Sequence, residues 1–187
     1  VQAIVDAVNA IKNNADGTPN NYATNPTQQQ YAALGVTGVD TTAKETLLGD
    51  VIDGKAYGAV DSTPEIQTLA NAVAAVLAAA TGGTAPTLEQ LQALGVAGVT
   101  AETLKAIQEA IAATGSTGAV DSFSELQGVV DAGIAAKATA VTLIKDYAQG
   151  NTTGLVNATG TAPTDTTFAT AGVIGVTSGN LAAIQDA

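Results

Sequence analysis

Carboxylates are the most plentiful reactive groups in this chain. It has no His and no Cys, which excludes imidazole catalysis, thiol catalysis and thiolate metal sites. The 17 Asp and Glu side chains could act as general acids and bases only as facing pairs, but they are spread along turns and polar faces. No Ser occupies the strand–turn–helix setting of a nucleophile. We therefore predict solvated carboxylates and no enzymatic activity.

Hard oxygen ligands are densest in the segment 13–21, which reads NNADGTPNN and contains Asn14 and Asp16. Such oxygens suit Ca²⁺, although the segment lacks the ligand spacing and distal Glu of an EF-hand loop. Asp61 and Asp121 recur in identical Val-Asp-Ser segments before predicted helices, where a carboxylate favours the helix dipole. We interpret all four as turn or helix-end residues, with bound calcium as the alternative and no other cofactor.

The charge and composition exclude several classes of partner. The net charge is -11, and the chain has no Arg to grip phosphates or guanine bases, so we predict no nucleic-acid binding. No apolar run reaches 18 residues, so we predict no membrane span. The chain contains no Met, and we expect it to be a processed or excised piece of a longer protein.

The elements that position these residues follow from an internal repeat. Similar segments that begin with Pro-Thr and end with Gly-Val-x-Gly-Val lie at 26–39, 86–99 and 163–176. The sequence Gly-Ala-Val-Asp-Ser also occurs twice, at a spacing of 60 residues. We predict an all-α fold of tandem three-helix repeat units of about 60 residues, stacked into an elongated array. The predicted units are 1–61, 62–121 and 122–187, the first truncated at its N-terminus and the third at its C-terminus.

The middle unit shows the three helices most clearly. The first is predicted over 63–80, where Ser62 and Glu65 match a capping box and apolar residues follow a helical stripe. The second is predicted over 86–94, with Pro86 in its first turn, and the third over 101–113, capped by Thr100. We expect a left-handed glycine to end each second helix; these glycines are Gly35, Gly95 and Gly172.

Equivalent positions in the three units predict a shared core. Tyr31, Leu91 and Phe168 occupy one position in the second helix of each unit. Val8, Val73 and Gly133 share another position in the first helix. The glycine there either weakens its helix locally or lets a neighbouring helix approach closely.

Both insertions between units fall at one junction, after the first helix of a unit. They lie within 16–25 and 141–162, and part of the second one lengthens a helix predicted over 123–149 and ended by the segment 150–154. Variable loops on a constant scaffold often carry recognition. The candidate binding residues in these insertions are Tyr22, Leu155 and Val156, although we favour tolerated variation in loop length over a binding role.

The units resemble the helical tandem repeats of giant RTX-type, type I-secreted adhesins on the surface of Gram-negative bacteria. The likeness is carried by the segments 1–8, 31–39 and 180–185, which read VQAIVDAV, YAALGVTGV and NLAAIQ. The third copy departs from it, with Ala171 and Ile174 in the repeated motif. The resemblance implies an extracellular spacer at the bacterial cell surface that holds an adhesive tip away from the cell, as in biofilm formation.

Three functions remain open from the sequence. The first is a structural, non-enzymatic stalk segment whose partners are the neighbouring repeats of the same chain. The second is a helical binding module that recognises a host protein or glycan outside the cell. The third is a self-assembling segment of an S-layer or matrix.

Overall fold

The described part of the chain folds into helices joined by turns. The computed structural model describes residues 1–19, 24–153 and 162–186. Its helices in chain order are α1 (Gln2–Asn14), α2 (Gln28–Ala33), α3 (Thr42–Asp53), α4 (Thr63–Ala79), α5 (Leu88–Ala93), α6 (Leu104–Ala113), α7 (Phe123–Thr153), α8 (Asp165–Thr170) and α9 (Leu181–Gln185). In these residues the only extended pairing is a single bridge between Asp16 and Ala56. The predicted all-α class is confirmed.

Side-chain caps define where the first and second helices of the middle segment begin. The predicted capping box precedes α4, where Glu65 Oε2 accepts hydrogen bonds from Ser62 N at 3.1 Å and Ser62 Oγ at 2.7 Å. The predicted position of Pro86 in the first turn of α5 is wrong. Thr87 takes the cap, because its hydroxyl accepts from Gln90 N at 3.2 Å while Gln90 Oε1 accepts from Thr87 N at 2.8 Å.

Two further predicted boundaries are corrected. Helix α6 begins at Leu104 and not at 101, because Thr103 Oγ1 donates to Gly98 O at 2.8 Å and holds residues 101–103 in a turn. Thr100 caps that turn by accepting a hydrogen bond from Thr103 N. Helix α7 extends to Thr153, beyond the predicted end at 149. A glycine such as Gly150 lowers helix stability by about 1 kcal/mol, which is too little to end a long helix.

Helices pack mainly on their neighbours along the chain. Helix α1 contacts α2 and α3, α3 contacts α4, α4 contacts α5 and α6, α6 contacts α7, and α7 contacts α8. A longer-range contact joins α3 to α7, where Asp50 Oδ2 accepts from Phe123 N at 3.0 Å. One continuous apolar core results, and it includes the whole predicted stripe of α4: Ile66, Leu69, Ala70, Val73, Val76, Leu77 and Ala80.

The position shared by Val8, Val73 and Gly133 behaves differently in each helix. Val73 is fully buried, as predicted, but Val8 is 38% exposed, because it lines an open groove with Tyr57 and Ile66. At Gly133 the backbones of α6 and α7 meet closely. A Cβ atom there would lie 2.9 Å from the carbonyl oxygen of Ala106 and 2.9 Å from Ala110 Cβ. The close approach proposed from the sequence is confirmed.

In the part of the chain that the structure describes, no helix has the length and apolar character needed to cross a membrane.

Candidate functional site

The repeated Gly-Val-x-Gly-Val segments form turns with the same backbone conformation. Gly35, Gly95 and Gly172 have φ of +79°, +81° and +90°, which confirms the predicted left-handed ends of the second helices. In the first turn Gly35 N donates to Ala32 O at 3.0 Å and Val36 N donates to Tyr31 O at 3.0 Å. This pair of hydrogen bonds is a complete Schellman motif, and it orients the residues that follow in a fixed direction.

A second glycine in the left-handed conformation follows three residues after the first one in each turn. Gly38, Gly98 and Gly175 have φ of +81°, +76° and +84°, a region that side chains on L-residues disfavour. The residue before each of these glycines stands at the tip of the turn: Thr37, Ala97 or Ile174. The turn therefore presents the backbone N–H and C=O of that one residue to whatever packs against it.

A glutamine from the next long helix bonds to the backbone of that residue in both places where such a helix follows. Gln67 Oε1 of α4 accepts from Thr37 N at 2.8 Å, and Gln67 Nε2 donates to Thr37 O at 3.1 Å. Gln127 of α7 makes the same two bonds to Ala97, at 2.8 and 3.3 Å. A primary amide that pairs with both the N–H and the C=O of one residue fixes distance and orientation together. We call this arrangement the glutamine clamp.

The clamping side chains are held in place by their own helices. Gln67 Nε2 also donates to Asn71 Oδ1 at 2.9 Å, and Gln127 Nε2 donates to Asp131 Oδ1 at 2.8 Å. Gln2 of α1 makes the equivalent bond to Asp6 at 2.7 Å. Sequence reasoning missed this site, although a visible signal existed: a Gln followed four residues later by Asn or Asp recurs in each long helix at the same place in the repeat.

The predicted core position in the second helices is buried in all three copies. Tyr31 and Leu91 are fully buried, and Phe168 is 8% exposed. The Tyr31 hydroxyl is buried and has no hydrogen-bond partner among the described residues. Its burial first, and then the charges of Glu45 and Asp50, raise the pKa of Tyr31 well above the ordinary 10.0.

Replacing Tyr31 with Phe is expected to make the protein more resistant to alkaline unfolding. Because the folded state raises the pKa of Tyr31, its contribution is complete below about pH 10 and is lost as the pH rises further. The loss amounts to about 1.4 kcal/mol per pH unit. Denaturant unfolding at several pH values should show a shallower alkaline slope for Tyr31→Phe. Equal alkaline slopes in the wild type and in Tyr31→Phe would contradict the raised pKa of Tyr31.

The four candidate calcium ligands lie in separate local hydrogen-bond networks. Asn14 is buried, and its Nδ2 donates to Gly49 O at 2.7 Å. Asp16 Oδ1 accepts from Thr18 N at 2.8 Å within its own turn. The described residues contain no group of three or more His, Cys, Asp or Glu arranged to hold a metal ion. Calcium binding therefore stays a prediction.

Asp61 and Asp121 stand beside the capping serines of α4 and α7. Asp61 is exposed next to Ser62. Burial, followed by the hydrogen bond and charge of Glu125, raises the pKa of Asp121. Hydrogen bonds from Ser122 and then from Asp121 lower the pKa of Glu125, so the two carboxyls share one capping arrangement. This arrangement organises the start of α7.

An open cleft of about 500 Å³ lies between α1 and the segment that leads into α2. Most of its lining residues have polar side chains, although more of the lining surface is apolar than polar; these residues are Asp6, Asn9, Ala10, Asn13, Thr24, Asn25, Thr27 and Gln30. Among these described residues there is one carboxylate and no cationic group, so they form no acid–base pair. Its amides and hydroxyls can instead hydrogen-bond a neutral polar molecule.

The three insertion residues singled out from the sequence, Tyr22, Leu155 and Val156, lie outside the described residues. Their proposed role in binding stays a prediction. Comparisons of the chain with protein-family models, curated proteins and solved structures find no match. The glutamine clamp and the packing around it are the features on which the proposed function rests.

Proposed function

We propose that this chain is a structural, non-enzymatic spacer built of tandem three-helix units, and that it belongs to the stalk of a large extracellular bacterial adhesin. In this proposal α1–α3, α4–α6 and α7–α9 are the three units. Each unit is too small, with mostly Ala and Val in its core, to be stable without its neighbours. Stacking on the next unit supplies the missing burial.

The order of helix contacts supports this division. The first helix of a proposed unit contacts the second in all three cases: α1 with α2, α4 with α5, and α7 with α8. The last helix of one proposed unit contacts the first helix of the next, as α3 with α4 and α6 with α7. Helix α3 also contacts α7 of the third proposed unit. Most of the packing is nevertheless between neighbours, the arrangement that lets an array grow in length.

The glutamine clamp is the observation that carries the proposal. It occurs at both proposed joints with the same atoms and similar distances, at Gln67 on Thr37 and at Gln127 on Ala97. Two hydrogen bonds to the backbone of one residue restrict the angle between the partners, and the same restriction recurs at both joints. The acidic surface, with a net charge of -11, keeps such a rod soluble. The adhesin context and the location at the bacterial surface rest on the sequence resemblance.

Removing one clamp is expected to weaken one joint. Replacing Gln67 with Ala should lower the free energy of unfolding by about 1 kcal/mol, since it removes three exposed hydrogen bonds to Thr37. The matched control is Gln2→Ala, which removes the equivalent side chain where it bonds only to Asp6 among the described residues. Denaturant unfolding measures both variants. A loss as large for Gln2→Ala as for Gln67→Ala would show that the clamp has no special role.

Small-angle X-ray scattering tests the spacer proposal on the chain as it is. A compact chain of this length would have a radius of gyration of about 16 Å. The proposal predicts a clearly larger value at infinite dilution and a distance distribution with a long tail. A value near 16 Å with a symmetric distribution would contradict a spacer role.

The polar cleft beside α1 favours a second candidate, a binding module for a neutral glycan. Amide side chains of Asn9, Asn13 and Gln30 line it, and such groups pair well with sugar hydroxyls. Titration with neutral oligosaccharides, followed through the side-chain amide resonances in NMR spectra, separates the candidates. Saturable shifts at these three residues would favour the binding module, whereas the spacer proposal predicts none.

A further inference from the structure

The two joints inside the chain share the glutamine clamp but differ in the packing around it. We call the contact between the turn after α2 and helix α4 the first joint. The contact between the turn after α5 and helix α7 is the second joint. Residues of the two joints correspond at a constant offset of 60 positions, as Gln67 does to Gln127. Each residue of one joint therefore has a matched residue in the other.

An isoleucine packs against the turn of the second joint. A Cβ atom at Gly98 would lie 2.6 Å from Ile134 Cδ1, so the end of that side chain occupies the space beside the turn. Ile134 is half-buried and packs on the continuous core. The equivalent pair in the first joint is Gly38 and Ala74, and a Cβ atom at Gly38 would meet no other described atom within 4 Å. The short side chain of Ala74 leaves the turn of the first joint uncovered at this place.

The second joint also has contacts that the first joint lacks the residues to make. Lys137 Nζ of α7 donates a hydrogen bond to Glu102 O in the turn before α6. The equivalent of Lys137 in α4 is Leu77, which has no donor. The close backbone approach of α6 and α7 occurs at Gly133, whereas the equivalent residue of α4 is Val73, with a buried side chain. Helix α7 is therefore fastened along more of its length than α4.

The first joint has two additional hydrogen bonds of its own, and both are exposed. Thr37 Oγ1 donates to Gln67 Oε1 at 3.2 Å. Thr63 Oγ1 donates to Leu34 O at 2.8 Å. The second joint has an alanine and a phenylalanine at the positions of these two threonines. Exposed hydrogen bonds add little net stability, because water offers the same groups equivalent partners, whereas burial of an apolar side chain has no such competitor. The balance of these contacts favours the second joint.

We propose that the first joint is the compliant one, where the chain bends or opens while the second joint stays closed. This inference rests on the proposed tandem architecture, and it adds that the stiffness of the spacer differs from joint to joint. Local openings separate packed elements without global unfolding, and their free energies follow the contacts that each opening breaks. A load along the chain is therefore relieved at the first joint before it reaches the second.

Hydrogen exchange of two matched backbone amides tests the proposal. The N–H groups of Thr37 and Ala97 each donate to the clamping glutamine at 2.8 Å, so each exchanges only when its own clamp opens. Both residues are exposed, and NMR measures each rate relative to the intrinsic rate for its local sequence. We expect the protection of Ala97 to exceed that of Thr37 roughly tenfold, because partial burial of an isoleucine side chain is worth about that factor.

Reciprocal variants test whether the packing at the turn causes the difference. Ile134→Ala should lower the protection of Ala97 towards that of Thr37 and leave Thr37 unchanged. Ala74→Ile should raise the protection of Thr37, because the space beside Gly38 is open. The amide of Ile107, which is buried in the core, controls for global unfolding and should be better protected than both.

Equal protection of Thr37 and Ala97 in the wild type would overturn the proposal. It would also be overturned if Ile134→Ala lowered the protection of both amides by the same factor, since that result indicates global destabilisation. Scattering tests the spacer proposal separately. An elongated chain with equal protection at the two amides contradicts only the compliant first joint, whereas a compact chain contradicts the spacer itself.

Discussion

Replacing Gly133 with Ala is expected to destabilise the protein, although alanine favours a helix over glycine. The new Cβ would lie 2.9 Å from the carbonyl oxygen of Ala106, a backbone atom that cannot rotate away. Helices α6 and α7 would have to separate along their contact. Overpacking of this kind lowers the free energy of unfolding by about 1–3 kcal/mol.

Gly128→Ala is the matched control in the same helix. Gly128 is exposed, and a Cβ there would meet no atom within 4 Å. This variant should raise the free energy of unfolding by about 0.5–1 kcal/mol through the higher helix propensity of alanine. Denaturant unfolding of both variants should therefore give opposite signs. A stabilised Gly133→Ala protein would show that α6 and α7 are farther apart in solution than in the structure.

The largest loss is expected when Ile107 is shortened to Ala. Ile107 is fully buried in α6 as part of the continuous core. Removing a buried isoleucine side chain to the β-carbon costs about 2–5 kcal/mol, through lost burial and the cavity left behind. That is a large share of the 5–15 kcal/mol, roughly, that stabilises a typical domain.

The chain supplies a matched control at the equivalent position of the third copy. Ile184 occupies the place of Ile107 in the repeat but is 38% exposed on α9. Ile184→Ala should cost less than about 1 kcal/mol at low protein concentration, since its surroundings can relax and water already reaches it. Similar losses in the free energy of unfolding for the two variants would mean that the Ile184 side chain is as deeply buried in solution as the Ile107 side chain.

Local signals made part of the fold predictable from the sequence. The box of Ser62 and Glu65 and the left-handed Gly95 depend on residues within a few positions of each other, and both are confirmed. Two of the predicted boundaries, at Pro86 and 101, failed because Thr87 and Thr103 made alternative local hydrogen bonds. Threonine caps compete at neighbouring positions, and the pattern alone does not rank them.

The candidate site depended on contacts that the sequence does not encode locally. Gln67 and Thr37 lie 30 positions apart, and they pair only because α4 packs beside the turn after α2. Val8 belongs to a regular apolar stripe, yet it is exposed. An apolar stripe indicates that a helix face can be buried, but it does not indicate whether another helix packs on that face. The repeat indicated which residues are equivalent. The structure identified the glutamine that bonds to the backbone of each turn.

Duplicating the middle segment tests the central claim most directly. A second copy of residues 62–121 inserted after Asp121 keeps the sequence at both new junctions native, because Asp61-Ser62 and Asp121-Ser122 are the same dipeptide, but it separates Phe123 from its partner Asp50. The account predicts that the longer chain keeps its helical signal per residue, and that scattering at low concentration shows a greater maximum dimension with an unchanged cross-section. An inserted segment that stays unfolded, or a particle whose cross-section increases together with its length, would contradict the claim of a linear array.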